Sequence, residues 1–334
     1  MQYQLNFENH MEFKVIEKNR LSPRAYFIPE RTKKAKLAAD PKRERYESSM
    51  VHVLSGKWDF KYYKSKAKMP RQIDTEKLKF DTITVPSTWQ RTGYEPPVYL
   101  NCPYGFTGSG VLPPALPEDF SCGVYRKKFN VDSLDKTRII TFLGVAPCID
   151  LYINGVFVGF GEASHNSYEF DITNHLLQGE NELLVVVFKW CTGSYLEAQD
   201  MFRENGIFRD VYITQYERAF INDFCLKTTK TGKAYSLSGE VFLKGSFEGC
   251  TVEIELYDDK KSIAKTVAKA KETVNFHFEK LSVIEWNAEQ PYLYELLITL
   301  RSGKQSLLCI RNYTGFKTIK IIKTYLPLTV RKLS

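Results

Sequence analysis

Short stretches in which apolar and polar residues alternate, each closed by Gly, Pro or Asn, recur at intervals of about ten residues along this chain from Val51 onward. A period of two puts every second side chain on one face of an extended segment, so each stretch reads as a half-buried strand. Leu54-Ser55-Gly56-Lys57-Trp58-Asp59-Phe60-Lys61-Tyr62 is such a run, and Ile83-Thr84-Val85 is a shorter one stopped by Pro86. Strands resume over residues 122–131 and 138–143. Residues 149–153 and 156–159 then flank Asn154-Gly155, the strongest short-range hairpin signal, because both turn positions require positive φ. The apolar run that starts at Leu183 and ends at Trp190 reads as a buried strand. Between these strands lies a Pro- and Gly-rich excursion, residues 87–119, of a length that is usually functional or disordered.

The pattern predicts an all-β protein: a β-sandwich of jelly-roll type over 51–217, followed by an immunoglobulin-like β-sandwich over 218–316. The second set has roughly seven strands in about a hundred residues and no Cys…Trp…Cys core. Residues 260–272 have the Lys and Ala content of a helix but no apolar stripe, so they too read as strand. Residues 1–50, rich in charge and proline, read as an N-terminal arm wrapped over a later domain.

Composition changes this picture little. Aromatics make up 14% of the 334 residues, which favours sheets and stacking surfaces. The net charge of +8 is small enough to spread over an ordinary surface; only Arg31 to Arg45 forms a dense basic run, and without interleaved aromatics or a recognition motif that run reads as solvated surface, with no nucleic-acid partner. Seven dispersed cysteines with no C-x-x-C pair read as free thiols of a reducing compartment, neither a disulfide framework nor a zinc site. The first twelve residues carry Glu8 and Glu12 and lack an apolar core, and no apolar run is long enough to span a bilayer. The expectation is a soluble, cytoplasmic protein with no membrane partner.

The candidate chemistry lies in the loop Gly193-Ser194-Tyr195-Leu196-Glu197-Ala198-Gln199-Asp200-Met201-Phe202-Arg203-Glu204-Asn205-Gly206-Ile207-Phe208-Arg209-Asp210-Val211, which brings acidic and amide groups to an irregular segment before a strand. It resembles, nearly residue for residue, the loop that ends the sugar-binding-like domain of family 2 glycoside hydrolases of the β-galactosidase type. Four further segments resemble the same family in order and spacing. They are Gly56-Lys57-Trp58-Asp59-Phe60, Val85-Pro86-Ser87-Thr88-Trp89-Gln90 with Gly93-Tyr94, Tyr99-Leu100-Asn101-Cys102-Pro103-Tyr104, and residues 145–159 followed by Glu169-Phe170-Asp171-Ile172-Thr173. Trp286, Pro291, Tyr292 and Leu293, then Gly315-Phe316-Lys317, resemble late segments of the family's immunoglobulin-like domain. The resemblance implies a galactose-binding-like jelly roll, a β-galactoside as partner, and an active site whose main walls belong to a catalytic TIM barrel.

By the same resemblance, Asn101 matches an asparagine that contacts sugar hydroxyls, and Asp200 an aspartate that binds galactosyl hydroxyls and shares in a sodium site. The chemistry suits both: a carboxylate accepts from two neighbouring hydroxyls, an amide donates and accepts, and both are hard oxygen ligands. Taken alone, Asn101 reads as a turn residue beside Pro103 and Asp200 as a cap. Sodium and magnesium are expected for a complete family enzyme, and none for this chain by itself. Arg209 and Asp210 read as a buried structural pair, His165 as a solvated loop residue, Trp89 and Tyr99 as packing residues, and Tyr195 and Phe202 as loop supports.

No residue here is assigned a catalytic role. Retaining glycosidases need two carboxyl groups about 5–5.5 Å apart. Glu162, Glu169 and Glu197 are available, but nothing in the pattern pairs them or shifts their pKa. No alternation of strands and helices announces a barrel. Residues 317–334 read as a truncated or frameshifted tail: one permissible coding from Thr324 onward, read two bases later, encodes Leu-Phe-Thr-Val-Asn-Gly-Lys, which resembles the family's continuation. The leading expectation is therefore a non-catalytic N-terminal part of a β-galactosidase-like hydrolase, silent alone and able to form a homo-oligomer when complete. The alternatives are a free-standing carbohydrate-binding module and a subunit that complements a separately encoded barrel.

Overall fold

The computed structural model describes residues 1–101, 104–197 and 199–319, so most of the tail expected from 317 onward lies outside the described residues. The chain divides into two compact units, Met1–Pro23 with His52–Gln215, and Arg24–Val51 with Tyr216–Ser334. The first fifty residues, read above as one arm, are thus shared between two cores.

In the first unit a seven-stranded antiparallel sheet runs in the order Glu17–Lys18, Val156–Glu162, Cys148–Ile153, Gly179–Phe188, Cys122–Val131, Gly56–Tyr63, Asp81–Val85. A four-stranded sheet, Tyr168–Asp171, Thr137–Phe142, Val211–Tyr216 and Val51–Val53, faces it. Between them lies a core that takes Trp58, Leu183, Val185 and Val187 from the large sheet and Ile140, Phe142, Phe170 and Ile213 from the small one. Leu184, Val186 and Phe188 point the other way, into a second cluster with Tyr3, Leu5, Phe7 and Phe120. The continuous apolar run is explained by this arrangement, because its strand is buried on both faces. Asn154 (φ 51°) and Gly155 (φ 87°) make the expected turn between Ile153 and Val156.

The second unit pairs a three-stranded sheet, Ala219–Thr231, Ala234–Gly245 and Thr273–Leu281, with a four-stranded one in the order Lys261–Lys269, Cys250–Asp258, Tyr294–Ser302, Gln305–Thr314. Residues 261–269 are strand, as the missing stripe implied. Two short helices, Lys33–Ala38 and Glu44–Glu47, belong to this unit. They are fixed by charge. Lys36, 1% exposed, lies 2.7 Å from Glu44, and Arg311 donates through Nε to the same carboxylate at 2.8 Å. The all-β class, with two successive β-sandwiches, is the architecture observed.

Candidate functional site

Two strands of three residues each in the first unit build the candidate site. Val98–Leu100 pairs antiparallel with Met201–Arg203, in the register Leu100 to Met201, Tyr99 to Phe202 and Val98 to Arg203. Each strand extends by one residue past the Leu100–Met201 pair to Asn101 and Asp200, so both residues stand at the same end of one ladder. Both are exposed. The Tyr99 hydroxyl donates to Asp200 Oδ1, and this hydrogen bond pushes the phenol pKa up because it favours the neutral donor. Tyr99 and Phe202 meet edge to face at 5.6 Å, both more than half exposed.

Carboxylates behind this ladder anchor its loop. Glu162, 5% exposed, accepts from Gly193 N at 2.6 Å and from Thr192 Oγ1 at 2.9 Å, where the turn Thr192–Tyr195 begins. Burial pushes its carboxyl up to about 7 against the opposing pull of those donors. Glu197 accepts from Ser164 N at 2.6 Å, and its main-chain oxygen accepts from Arg203 Nη1 at 2.8 Å. Glu169 accepts from Thr141 Oγ1 at 3.0 Å on the small sheet. Glu162 and Glu197 therefore fasten the loop, and burial supplies a shift at Glu162 that the residue pattern did not announce.

The Pro- and Gly-rich excursion supports the same loop through rings. Tyr195 packs on Tyr104 at 4.7 Å and on Phe106 at 5.0 Å, and Phe106 meets Trp190 at 5.4 Å. The Tyr195 hydroxyl donates to Ala115 O. Trp89 is fully buried, with Nε1 donating to Tyr125 Oη at 2.7 Å, so it is a core residue. Tyr99 is not: it holds Asp200 on the surface. Met201, Phe202 and Arg203 also line a cavity of about 120 Å³ with Ser164, exposed His165 and Glu197.

The buried Arg209–Asp210 pair is corrected. Arg209 is exposed and donates to the carbonyls of Leu143 (3.4 Å) and His165 (3.2 Å), while Asp210 Oδ1 accepts from Ser55 Oγ at 3.0 Å. The two residues lie in the link between Gly206–Ile207 and Val211–Tyr216, and their side chains take different partners, which separates the two charges. Among the described residues, no group of three His, Cys, Asp or Glu side chains could hold a metal, and no helix is long and apolar enough to cross a membrane. Asp200 and Asn101 carry hard oxygens of the kind an alkali cation takes, and the Tyr99 hydroxyl already holds one carboxylate oxygen of Asp200.

Comparison with known proteins gives this geometry its context. Residues 51–216 match the sugar-binding domain of glycosyl hydrolases family 2, and residues 219–317 match the following domain of the same family. The chain is 35% identical over 282 residues to a β-galactosidase of Actinobacillus pleuropneumoniae, a match that covers 84% of this chain and 27% of that protein. It is 34% identical over 292 residues to a β-galactosidase of Staphylococcus xylosus, covering 86% and 28%. The chain thus spans little more than a quarter of the length of these relatives. Among solved structures, a β-glucuronidase of Bifidobacterium dentium superimposes with a TM-score of 0.63 at 19% identity, covering 83% of this chain and 50% of that one. A family 2 member of Bacteroides cellulosilyticus gives 0.61 at 17%, covering 84% and 38%. At such identities these two structures speak for the fold, and the family models and curated relatives carry the conclusion: the chain belongs to glycosyl hydrolases family 2, of which it contains the sugar-binding domain and the domain that follows it.

Proposed function

We propose that the full-length protein hydrolyses terminal β-galactosides with retention, and that this chain lends its sugar site Asn101 and Asp200. The reading is supported by the shared ladder end: two oxygen-rich side chains are exposed side by side in sequence register, and one is oriented by Tyr99. A carboxylate and an amide so placed bind adjacent sugar hydroxyls, and Asp200 with Asn101 supplies hard oxygen ligands toward sodium. Sodium would supply a fixed positive charge beside the sugar; magnesium has no ligand set among the described residues. The two carboxyl groups of the reaction belong, in this reading, to a barrel outside the present sequence. The carboxylates at hand, Glu162 and Glu197, are occupied in fastening the loop.

The test joins this chain to a family barrel, covalently or as a separate subunit, and follows a chromogenic β-galactoside. The chain alone should show no turnover. In the joined protein, Asp200→Ala should lower kcat at least about a hundredfold, since its contacts to hydroxyls strengthen as the sugar distorts. Its melting temperature should stay put, because Asp200 is exposed. An Asp200→Ala protein that melts early yet keeps its turnover per folded molecule would return the residue to a turn-capping role. Micromolar galactose affinity of the chain alone would instead favour a free-standing binding module.

A further inference from the structure

A second pocket in the first unit, apart from the Asn101–Asp200 ladder end, is lined by a largely buried arginine that has no carboxylate partner among the described residues. Arg138 is the second residue of the strand Thr137–Phe142 of the small sheet and is only 5% exposed. Its guanidinium, among the described residues, makes one hydrogen bond, a long one of 3.4 Å to Lys136 O, and pairs with no carboxylate. The charge is felt by Asp135, but that carboxylate is exposed and accepts from Ser133 Oγ instead. A guanidinium has five donors and keeps its charge at every physiological pH. A guanidinium taken out of water is normally paired with an anion.

Arg138 lines a cavity of about 270 Å³ together with His52, Phe129, Asn130, Asp132 and Gln215. This is just under the roughly 300 Å³ at which pockets for organic ligands begin, so it suits one small ligand. His52 stands edge-on to Phe129 at 6.4 Å, and both its burial and the charge of Lys127 favour its neutral form. Asp132 is exposed and makes no ion pair with Arg138 among the described residues, and its charge opposes those two effects at His52. The lining offers one largely buried positive charge, an imidazole and two amides, with the exposed Asp132 carboxylate as its single acidic group. Arginine meets the two oxygens of a carboxylate or phosphate through parallel N–H donors, and amides add neutral hydrogen bonds.

We propose that this pocket is an oxyanion-recognition site for a small phosphate or carboxylate group, with Arg138 as its charged anchor and Asn130 and Gln215 as its neutral partners. The site is separate from the proposed galactoside contacts, and its test reads binding alone. His52 reports occupancy, because an anion beside it must raise the imidazole pKa.

The chain is titrated with inorganic phosphate, glucose 6-phosphate and glucose while the ring signals of His52 are followed by NMR. Both phosphates should shift His52 saturably, and glucose should not. Glucose 6-phosphate binding at least tenfold tighter than phosphate would identify a sugar-borne anion as the occupant, and equal affinities a free anion; either supports the site. Gln215→Glu sets a carboxylate in the lining, and should weaken phosphate at least tenfold while the melting temperature holds or rises. Asn130→Asp, at an exposed position, repeats that test if the first variant does not fold. No saturable shift, an equal response to glucose, or undiminished binding in the folded variants overturns the proposal.

Discussion

A buried carboxyl group that has lost its water is a sharper probe of this fold than any apolar side chain. Asp150, fully buried, accepts from Asn9 Nδ2 at 3.0 Å through one oxygen, and burial pushes its pKa up to about 7. Glu162 is displaced to about the same value by the same cause. Both folded values lie above the unfolded ones, so between about pH 4.5 and 7 the folded state binds more protons, and stability falls as pH rises through that window. Each group, displaced from 3.8 or 4.5 to about 7, accounts for on the order of 3–4 kcal/mol of that fall. We expect Asp150→Asn, which keeps a neutral group of the same shape, to flatten the decline in melting temperature from pH 5 to 7. An unchanged slope would show that Asp150 is already ionised in the folded state. Residue identity alone could not have foretold this. Nothing near Asp150 in the sequence marks it as enclosed, since its partner Asn9 is 141 positions away. The same blindness produced the mistaken Arg209–Asp210 pair, because adjacency along a chain does not tell which way two side chains turn.

At the scale of strands and turns much more was legible. Asn154-Gly155 announced its hairpin because only a few residue types tolerate both turn conformations, and the structure shows both at positive φ. A Cβ on Gly155 would lie 3.0 Å from the carbonyl oxygen of Gln2 as well as straining φ at +87°. Gly155→Ala should therefore destabilise the first unit by about 1–2 kcal/mol, read as an earlier urea midpoint with an unchanged slope. A neutral substitution would mean that the turn is free to change type. The ladder that carries Asn101 and Asp200 was not legible as a ladder. Its strands are three residues each, too short for alternation to register, and lie a hundred positions apart. The two residues were picked out by family resemblance, whereas their common ladder end emerged only from register. The excursion before them looked irregular because its packing is aromatic, with Tyr104 and Phe106 against Tyr195 and Trp190.

Over the whole chain, each unit has its own means of holding its leading segment. In the second, Glu44 sits between Lys36 and Arg311, which are 1% and 5% exposed, so Glu44→Gln should leave Lys36 without an anion and Arg311 with Glu295 alone. We expect a loss of about 3 kcal/mol, seen as faster amide exchange in Tyr294–Ser302 and Gln305–Thr314 and unchanged exchange in Gly179–Phe188. Equal acceleration in both would show that the two cores do not unfold separately. In the first unit the leading segment is held by apolar contact, Tyr3, Leu5 and Phe7 against Leu184, Val186 and Phe188. Protein synthesis gives that contact a history. The ribosome releases the three early residues long before their partners exist, and at about 5–20 residues per second the interval for some 180 residues is on the order of ten to forty seconds. Through that interval the nascent chain displays two aromatic rings and a leucine without the strand that completes their cover, which is the kind of segment that chaperones grasp.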